Sequence, residues 1–187
     1  MDEIRYRVIR SNRKTMSGTI KDGILEVRAP RYVSDEEIKD FVLSHRAWIE
    51  KHMAKYKEME EKEKGEPGLT MDDVRTLADE ALKVIPSKVK FYAEKLGVTY
   101  GRITVRNQTT KWGSCTAKGN LNFNCLLMLA PSEVLDSVIV HELAHRKHMN
   151  HSKQFYEEVL GVLPDYHKWD KWLKDNGGSL IRRMKRG

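Results

Sequence analysis

The chain has 187 residues, 40% hydrophobic and 33% charged, a balance that suits a globular protein with a real core. No eighteen-residue apolar run exists, so no membrane-spanning helix is expected, and the start, Met1-Asp2-Glu3-Ile4-Arg5, lacks a signal-peptide core, so the expected location is cytoplasmic. A formal net charge of +7 is compatible with nucleic acid or a nucleotide phosphate as partner, but the basic residues are spread along the chain. Their one tight cluster, Arg182-Arg183-Met184-Lys185-Arg186, reads as a solvated basic tail over residues 179–187. Cys115 and Cys125 form no CxxC clip and read as reduced, core-type residues.

In chain order, the first thirty residues read as strands. Residues 18–21 and 24–27 flank Asp22-Gly23, a β-hairpin signal, and Pro30 ends the second strand. A long helix follows. Ser34 caps it with Glu37 as capping-box partner. Ile38, Phe41, Val42, His45, Trp48, Ile49, His52, Met53 and Tyr56 then recur at helical spacing, with His45 and His52 read as packing residues. From Lys55 onward the pattern dissolves into charge, and Gly65-Glu66-Pro67-Gly68 breaks the chain. The expected division is therefore an N-terminal unit over residues 1–64, a core over 69–178, and the tail.

In the core, Thr70 with Asp73 caps a helix carrying Val74, Leu77, Ala78, Ala81, Leu82 and Ile85. Pro86 is expected to kink it and Gly97 to stop it. Residues 103–106 and 121–124 read as strands, separated by Lys111-Trp112-Gly113-Ser114-Cys115 and a Lys118-Gly119-Asn120 turn. Pro131 opens an apolar helix, a short helix runs over 152–160, and a last one runs over 165–174 until Gly177-Gly178 ends the ordered part.

The segment that carries chemistry is His141-Glu142-Leu143-Ala144-His145. Histidines four apart on a helix lie one turn above each other on one side, so both imidazoles reach one zinc ion. The adjoining Glu142 can then act as general base on a zinc-bound water. Catalytic zinc takes three protein ligands, and His148 and His151 are the candidates for the third. An unbroken helix would place His148 about 10 Å along the axis from His141, which closes poorly on a tetrahedral ion. His151 is favoured, provided the helix ends first and the chain turns back near Asn150, with Ser152 capping the next helix. Glu157 and Glu158 are outside possibilities.

Several motifs in order then point to one family. Lys111-Trp112-Gly113-Ser114-Cys115, Gly119-Asn120-Leu121-Asn122-Phe123-Asn124, residues 138–145, and Asn150-His151-Ser152 with Phe155 resemble the YgjP-like metal-dependent hydrolases, which are similar to the SprT-like and WLM-type peptidases. The resemblance runs across nearly the whole chain and is densest over residues 106–155. It implies His141, His145 and His151 as metal ligands and Glu142 as the catalytic residue. It also implies an α+β fold with a minimal zincin-like core, a small mixed sheet on the active helix, here preceded by the hairpin and long helix. The histidine spacing also matches the metzincins, but His148 stands where they carry a turn glycine, which argues against that group.

The leading expectation is a zinc metallopeptidase acting on a peptide or protein. The alternatives are a phosphoanhydride (nucleoside triphosphate) hydrolase, with Arg106, Lys111, Arg146 and Lys147 supplying positive charge, and a zinc-stabilised nucleic-acid-binding module. Residues 121–124 are the candidate edge strand for an extended substrate. Trp112 is a candidate cleft wall. Tyr166 and His167 are candidate oxyanion stabilisers, although Tyr166, Trp169 and Trp172 at helical spacing also suit packing.

Overall fold

The computed structural model describes residues 4–21, 23–62 and 67–186, and the chain divides into two compact units, Met1–Gly65 and Glu66–Gly187. Both mix helices with one small sheet, an α+β architecture.

The first unit holds β1 (Tyr6–Ser11), β2 (Ser17–Lys21) and β3 (Ile24–Pro30) in the order β1-β3-β2. β1 runs parallel to β3 and β2 antiparallel to it. Gly23 enters β3 with φ of 73°, a left-handed conformation that glycine adopts freely; Asp22, the other residue of the expected turn, lies outside the described residues. Leu25, Val27 and Ala29 of β3 are buried with Ile38, Val42 and Ile49 to form this unit's core. On the opposite face Glu26 is 4% exposed, held by Arg7 at 2.7 Å and Arg28 at 2.9 Å.

The expected long helix is two helices. α1 (Asp35–Ser44) begins with the Ser34–Glu37 capping box and closes at His45, whose φ of −103° and ψ of 12° leave helical geometry; α2 (Arg46–Lys62) starts afresh. At the break the Phe41 carbonyl receives the His45 N–H at 3.2 Å and the Ser44 hydroxyl at 2.9 Å, and His45 Nδ1 lies 2.8 Å from it. His45 and His52 are not core packing residues either. Both are exposed, their rings 4.3 Å from those of Phe41 and Trp48.

The second unit starts with α3 (Met71–Leu96), capped by reciprocal Thr70–Asp73 hydrogen bonds, containing Pro86, and ended by Gly97 at φ of 64°. Its sheet comprises β4 (Ile103–Arg106), β5 (Gly113–Cys115) and β6 (Leu121–Asn124), ordered β4-β6-β5. β4 is parallel and β5 antiparallel to β6. The expectation that residues 121–124 form a substrate-binding edge is therefore wrong. β6 is the middle strand, with a neighbour on each side; the edges are β4 and the three-residue β5, the latter too short to show alternation in the sequence.

A 3-10 turn, Cys125–Leu129, leads into α4 (Ser132–Ala144). Asn124, fully buried, anchors this junction by donating to the Gln108 and Lys111 carbonyls and accepting from the Leu126 N–H. α4 is apolar on nearly every side, with Val134, Leu135, Ile139, Val140, Leu143 and Ala144 buried, because α3, α5 (Lys153–Val162), α6 (Tyr166–Arg186) and β5 all pack on it.

α6 does not stop at Gly177-Gly178, and the basic run is not a solvated tail. The helix continues to Arg186, residues 181–184 are half-buried, and the Leu69 N–H donates to the Arg183 carbonyl at 3.0 Å. Gly177 serves a close approach. A Cβ there would lie 2.7 Å from Trp112 Cζ2.

Candidate metal centre

α4 ends inside the chemical motif. His141 sits in its last turn and His145 is the C-cap, with φ of −63° and ψ of −12°. The Arg146 and Lys147 N–H groups reach only three residues back, to Leu143 and Ala144 at 2.9 and 3.0 Å, tightening the end of the helix. The chain then returns, and His151 lies immediately before α5, whose cap is Ser152 accepting from the Phe155 N–H at 3.3 Å. The outcome is a cluster of His141, His145 and His151 with one ring nitrogen from each within 4.8 Å of the others, and with 3.0 Å between the Nε2 atoms of His141 and His151. The His148 side chain is not part of this cluster; its carbonyl instead faces His145 Nδ1 at 3.0 Å. Glu157 and Glu158 are also outside it, paired with Lys153 and Lys147.

The outward nitrogens matter as much as the inward ones. His141 Nδ1 lies 2.8 Å from the Tyr166 hydroxyl, and His145 Nδ1 3.0 Å from a carbonyl that can only accept. A proton on Nδ1 leaves the Nε2 lone pair for the centre. Burial, and then the neighbouring imidazoles, push His141 down to about 4; burial also lowers His145. Both rings are thus neutral near neutral pH, the form that binds metal. Phe155, fully buried, backs all three rings at centroid distances of 5.0, 4.8 and 4.9 Å. Three convergent imidazoles fit a borderline divalent transition metal.

Glu142 is 7% exposed. Burial raises its carboxyl to about 7, against the opposing pull of the Cys115 backbone and Lys111. The space for it comes from Gly113, where a Cβ would meet Glu142 Oε1 at 2.6 Å. Beside Glu142 and His141 opens a cavity of about 240 Å³, walled by Lys111, Trp112, Val138, Tyr166, Asp170 and Leu173 among others.

Trp112 therefore serves both readings, lining the cavity while packing on Gly177. Tyr166 is 4% exposed and has its hydroxyl on His141. His167 is exposed and stacks near Tyr156 and Tyr166, away from the cluster. Of the four basic candidates only Lys111 lines the cavity. Arg146 donates to the Thr99 and Ala117 carbonyls, Lys147 pairs with Glu158, and Arg106 is exposed at the end of β4. Sequence reasoning missed Gly113 as the space for Glu142 and Phe155 as the backing of the histidines. The second had a signal: an aromatic residue four after His151, on the inner face of a capped helix.

A three-histidine cluster at the broken end of a buried helix, beside a desolvated glutamate, belongs with the metallopeptidase-type domains. The sequence model of the YgjP-like, metallopeptidase domain family matches residues 14–73 and 74–176, and the chain belongs to that family. Among curated relatives, the UTP pyrophosphatase of Escherichia coli (strain K12) is 36% identical over 56 residues, which make up 30% of this chain and 34% of that protein, so the match spans about a third of the relative's length. Two solved structures are similar at 20% identity over 49% of this chain. The metallopeptidase zymogen abylysin of Pyrococcus abyssi is covered over 93% of its length with a TM-score of 0.45. The zymogen jannalysin of Methanocaldococcus jannaschii is covered over 95% with a TM-score of 0.44. Among the described residues no helix is long and apolar enough to cross a membrane.

Proposed function

We propose that the chain is a zinc-dependent hydrolase, foremost a metallopeptidase, with His141, His145 and His151 holding the metal and Glu142 as general base. In this reading the second unit is a minimal zincin-like core. The observation that carries the proposal is the convergence of three imidazole nitrogens beside a buried carboxyl that lines a cavity. Zinc, when bound, supplies Lewis acidity that polarises the scissile carbonyl and acidifies the attacking water. Glu142 takes the water proton, and a carboxyl raised to about 7 can both accept that proton and return it to the leaving group. Gly113 keeps the carboxyl in place, and Phe155 and Tyr166 hold the imidazoles. β5 passes Glu142 and pairs only with β6 among the described residues, so an extended peptide can add along its other edge. The partner is then a peptide or protein substrate in a reducing, cytoplasmic setting, consistent with two free cysteines.

A second reading, phosphoanhydride hydrolysis of a nucleoside triphosphate, is favoured by Lys111 in the cavity wall and by the activity named for the Escherichia coli relative. A nucleic-acid-binding module is the weaker reading, since a desolvated general base has no use there. The test is a substrate panel of peptides, unfolded proteins and nucleoside triphosphates on zinc-loaded protein, beside Glu142→Gln. Peptide cleavage lost by about 10²–10⁴ in the variant supports the peptidase. Glu142-dependent release of phosphate or pyrophosphate without peptide cleavage replaces it with the second reading. Activity equal in both proteins removes both.

A further inference from the structure

We infer that Tyr166 is a positioning residue that fixes the tautomer and orientation of His141 through its hydroxyl. The inference rests on the proposed role of His141 as a ligand and extends it to a residue on another element. Tyr166 is 4% exposed, and a phenol oxygen buried that deeply needs a partner. Its partner is His141 Nδ1 at 2.8 Å, twenty-five residues away in sequence. Packing alone would be met by phenylalanine at this position; only the hydroxyl explains why the ring ends on that nitrogen. The two rings lie nearly parallel, 20° apart with centroids at 6.1 Å, so the contact constrains tilt as well as distance.

The chemistry follows from the imidazole. A neutral ring carries one proton. With Nδ1–H donating to the Tyr166 oxygen, the Nε2 lone pair faces His151 Nε2, 3.0 Å away. With the proton on Nε2 instead, the ring would push hydrogen into the cluster and could not ligate. The His148 carbonyl does the same for His145. The His145 tautomer is thus set by a carbonyl that can only accept, whereas the Tyr166 hydroxyl, able to donate or accept, holds the His141 ring and accepts from Nδ1–H in the form that ligation through Nε2 requires. Asp170, one turn beyond Tyr166, adds negative charge felt by both Tyr166 and His141, and Lys174 balances it at 2.5 Å. The first turns of α6 therefore belong functionally to the centre. The close packing of Gly177 on Trp112 fixes the position of this helix.

The test compares wild type, Tyr166→Phe and, as control, Tyr156→Phe, whose ring lies 6.3 Å from that of Tyr166. Zinc affinity is read by competition with a chromophoric chelator. Imidazole tautomers are read in the metal-free protein by long-range proton–nitrogen NMR. Tyr166→Phe is expected to weaken zinc by about 10–100-fold, the usual cost of losing an outer partner of a ligating histidine, while Tyr156→Phe binds as wild type. In metal-free wild type, His141 is expected as the Nδ1–H tautomer, and in Tyr166→Phe it alone loses that preference. Equal zinc affinity in wild type and Tyr166→Phe would overturn the inference. So would an Nε2–H tautomer at His141 in wild type, a result that requires no variant to fold. Wild type that binds no zinc but shows His141 locked by Tyr166 would instead defeat the functional reading and leave the positioning contact standing.

Discussion

Gly113 and Glu142 approach so closely that a single methyl group on the glycine would sit 2.6 Å from Glu142 Oε1. Nothing larger than hydrogen fits there without moving the carboxyl. Gly113→Ala is therefore expected to lose hydrolytic activity by at least about tenfold, while zinc binding by the histidines survives, because small displacements of a catalytic group are costly. Steady-state kinetics alongside zinc titration will check it. Unchanged turnover would mean that Glu142 is free to reposition.

Gly177 is the second such site. A Cβ there would lie 2.7 Å from Trp112 Cζ2, and the tryptophan is itself packed between α6 and the cavity. Helix propensity alone favours alanine over glycine by about 1 kcal/mol. Gly177→Ala is nonetheless expected to destabilise, by about 1–3 kcal/mol, since overpacking outweighs propensity. A raised thermal midpoint would show that Trp112 has room to yield.

These two glycines also mark what the sequence conveys and what it hides. Signals that act within a few residues were legible: the Ser34–Glu37 and Thr70–Asp73 boxes, Gly97 as a stop, and Ser152 opening α5 after a turn that returns His151 to His141. Three features run against the local pattern. The long helix divides at His45, whose backbone leaves helical geometry while the apolar spacing runs on through it, so periodicity cannot see the break. Gly177-Gly178 looks like a helix stop until Trp112, sixty-five residues earlier, is known to lie on it. β5, at three residues, carries no period, so the sequence pattern marks β6 and not the edge strand beside it. The link between Tyr166 and His141 depends on tertiary placement of α6, and no local pattern encodes it.

Glu26 predicts a pH dependence in the first unit. Hydrogen bonds from Arg7 and then Arg28 hold its carboxyl below the ordinary value of 4.5. A group whose folded pKa is depressed stabilises above its unfolded pKa, and that contribution fades as pH falls through the folded value. The difference in denaturant midpoint between wild type and Glu26→Gln is expected to be largest near neutrality and to shrink below pH 4.5. A difference constant from pH 7 to pH 3 would contradict this.

Lys111 separates the two substrate classes. It is the one basic candidate lining the cavity beside Glu142. If nucleotides are cleaved, Lys111→Ala is expected to raise KM for a triphosphate by roughly tenfold, the loss of one charged contact. Peptide cleavage is expected to change by less than about threefold, as for an exposed charge with little binding role. Parallel loss on both substrates would place Lys111 in the common machinery instead.

The central claim is tested most directly by a zinc competition titration of wild type, His151→Ala and His148→Ala. The histidine cluster predicts about one zinc per chain. It predicts a loss of orders of magnitude in affinity for His151→Ala, which removes one of the three convergent nitrogens. His148→Ala should stay close to wild type, since only the backbone carbonyl of that residue faces His145, and alanine keeps it. No zinc bound by wild type, or a loss for His148→Ala as large as that for His151→Ala, would contradict the account.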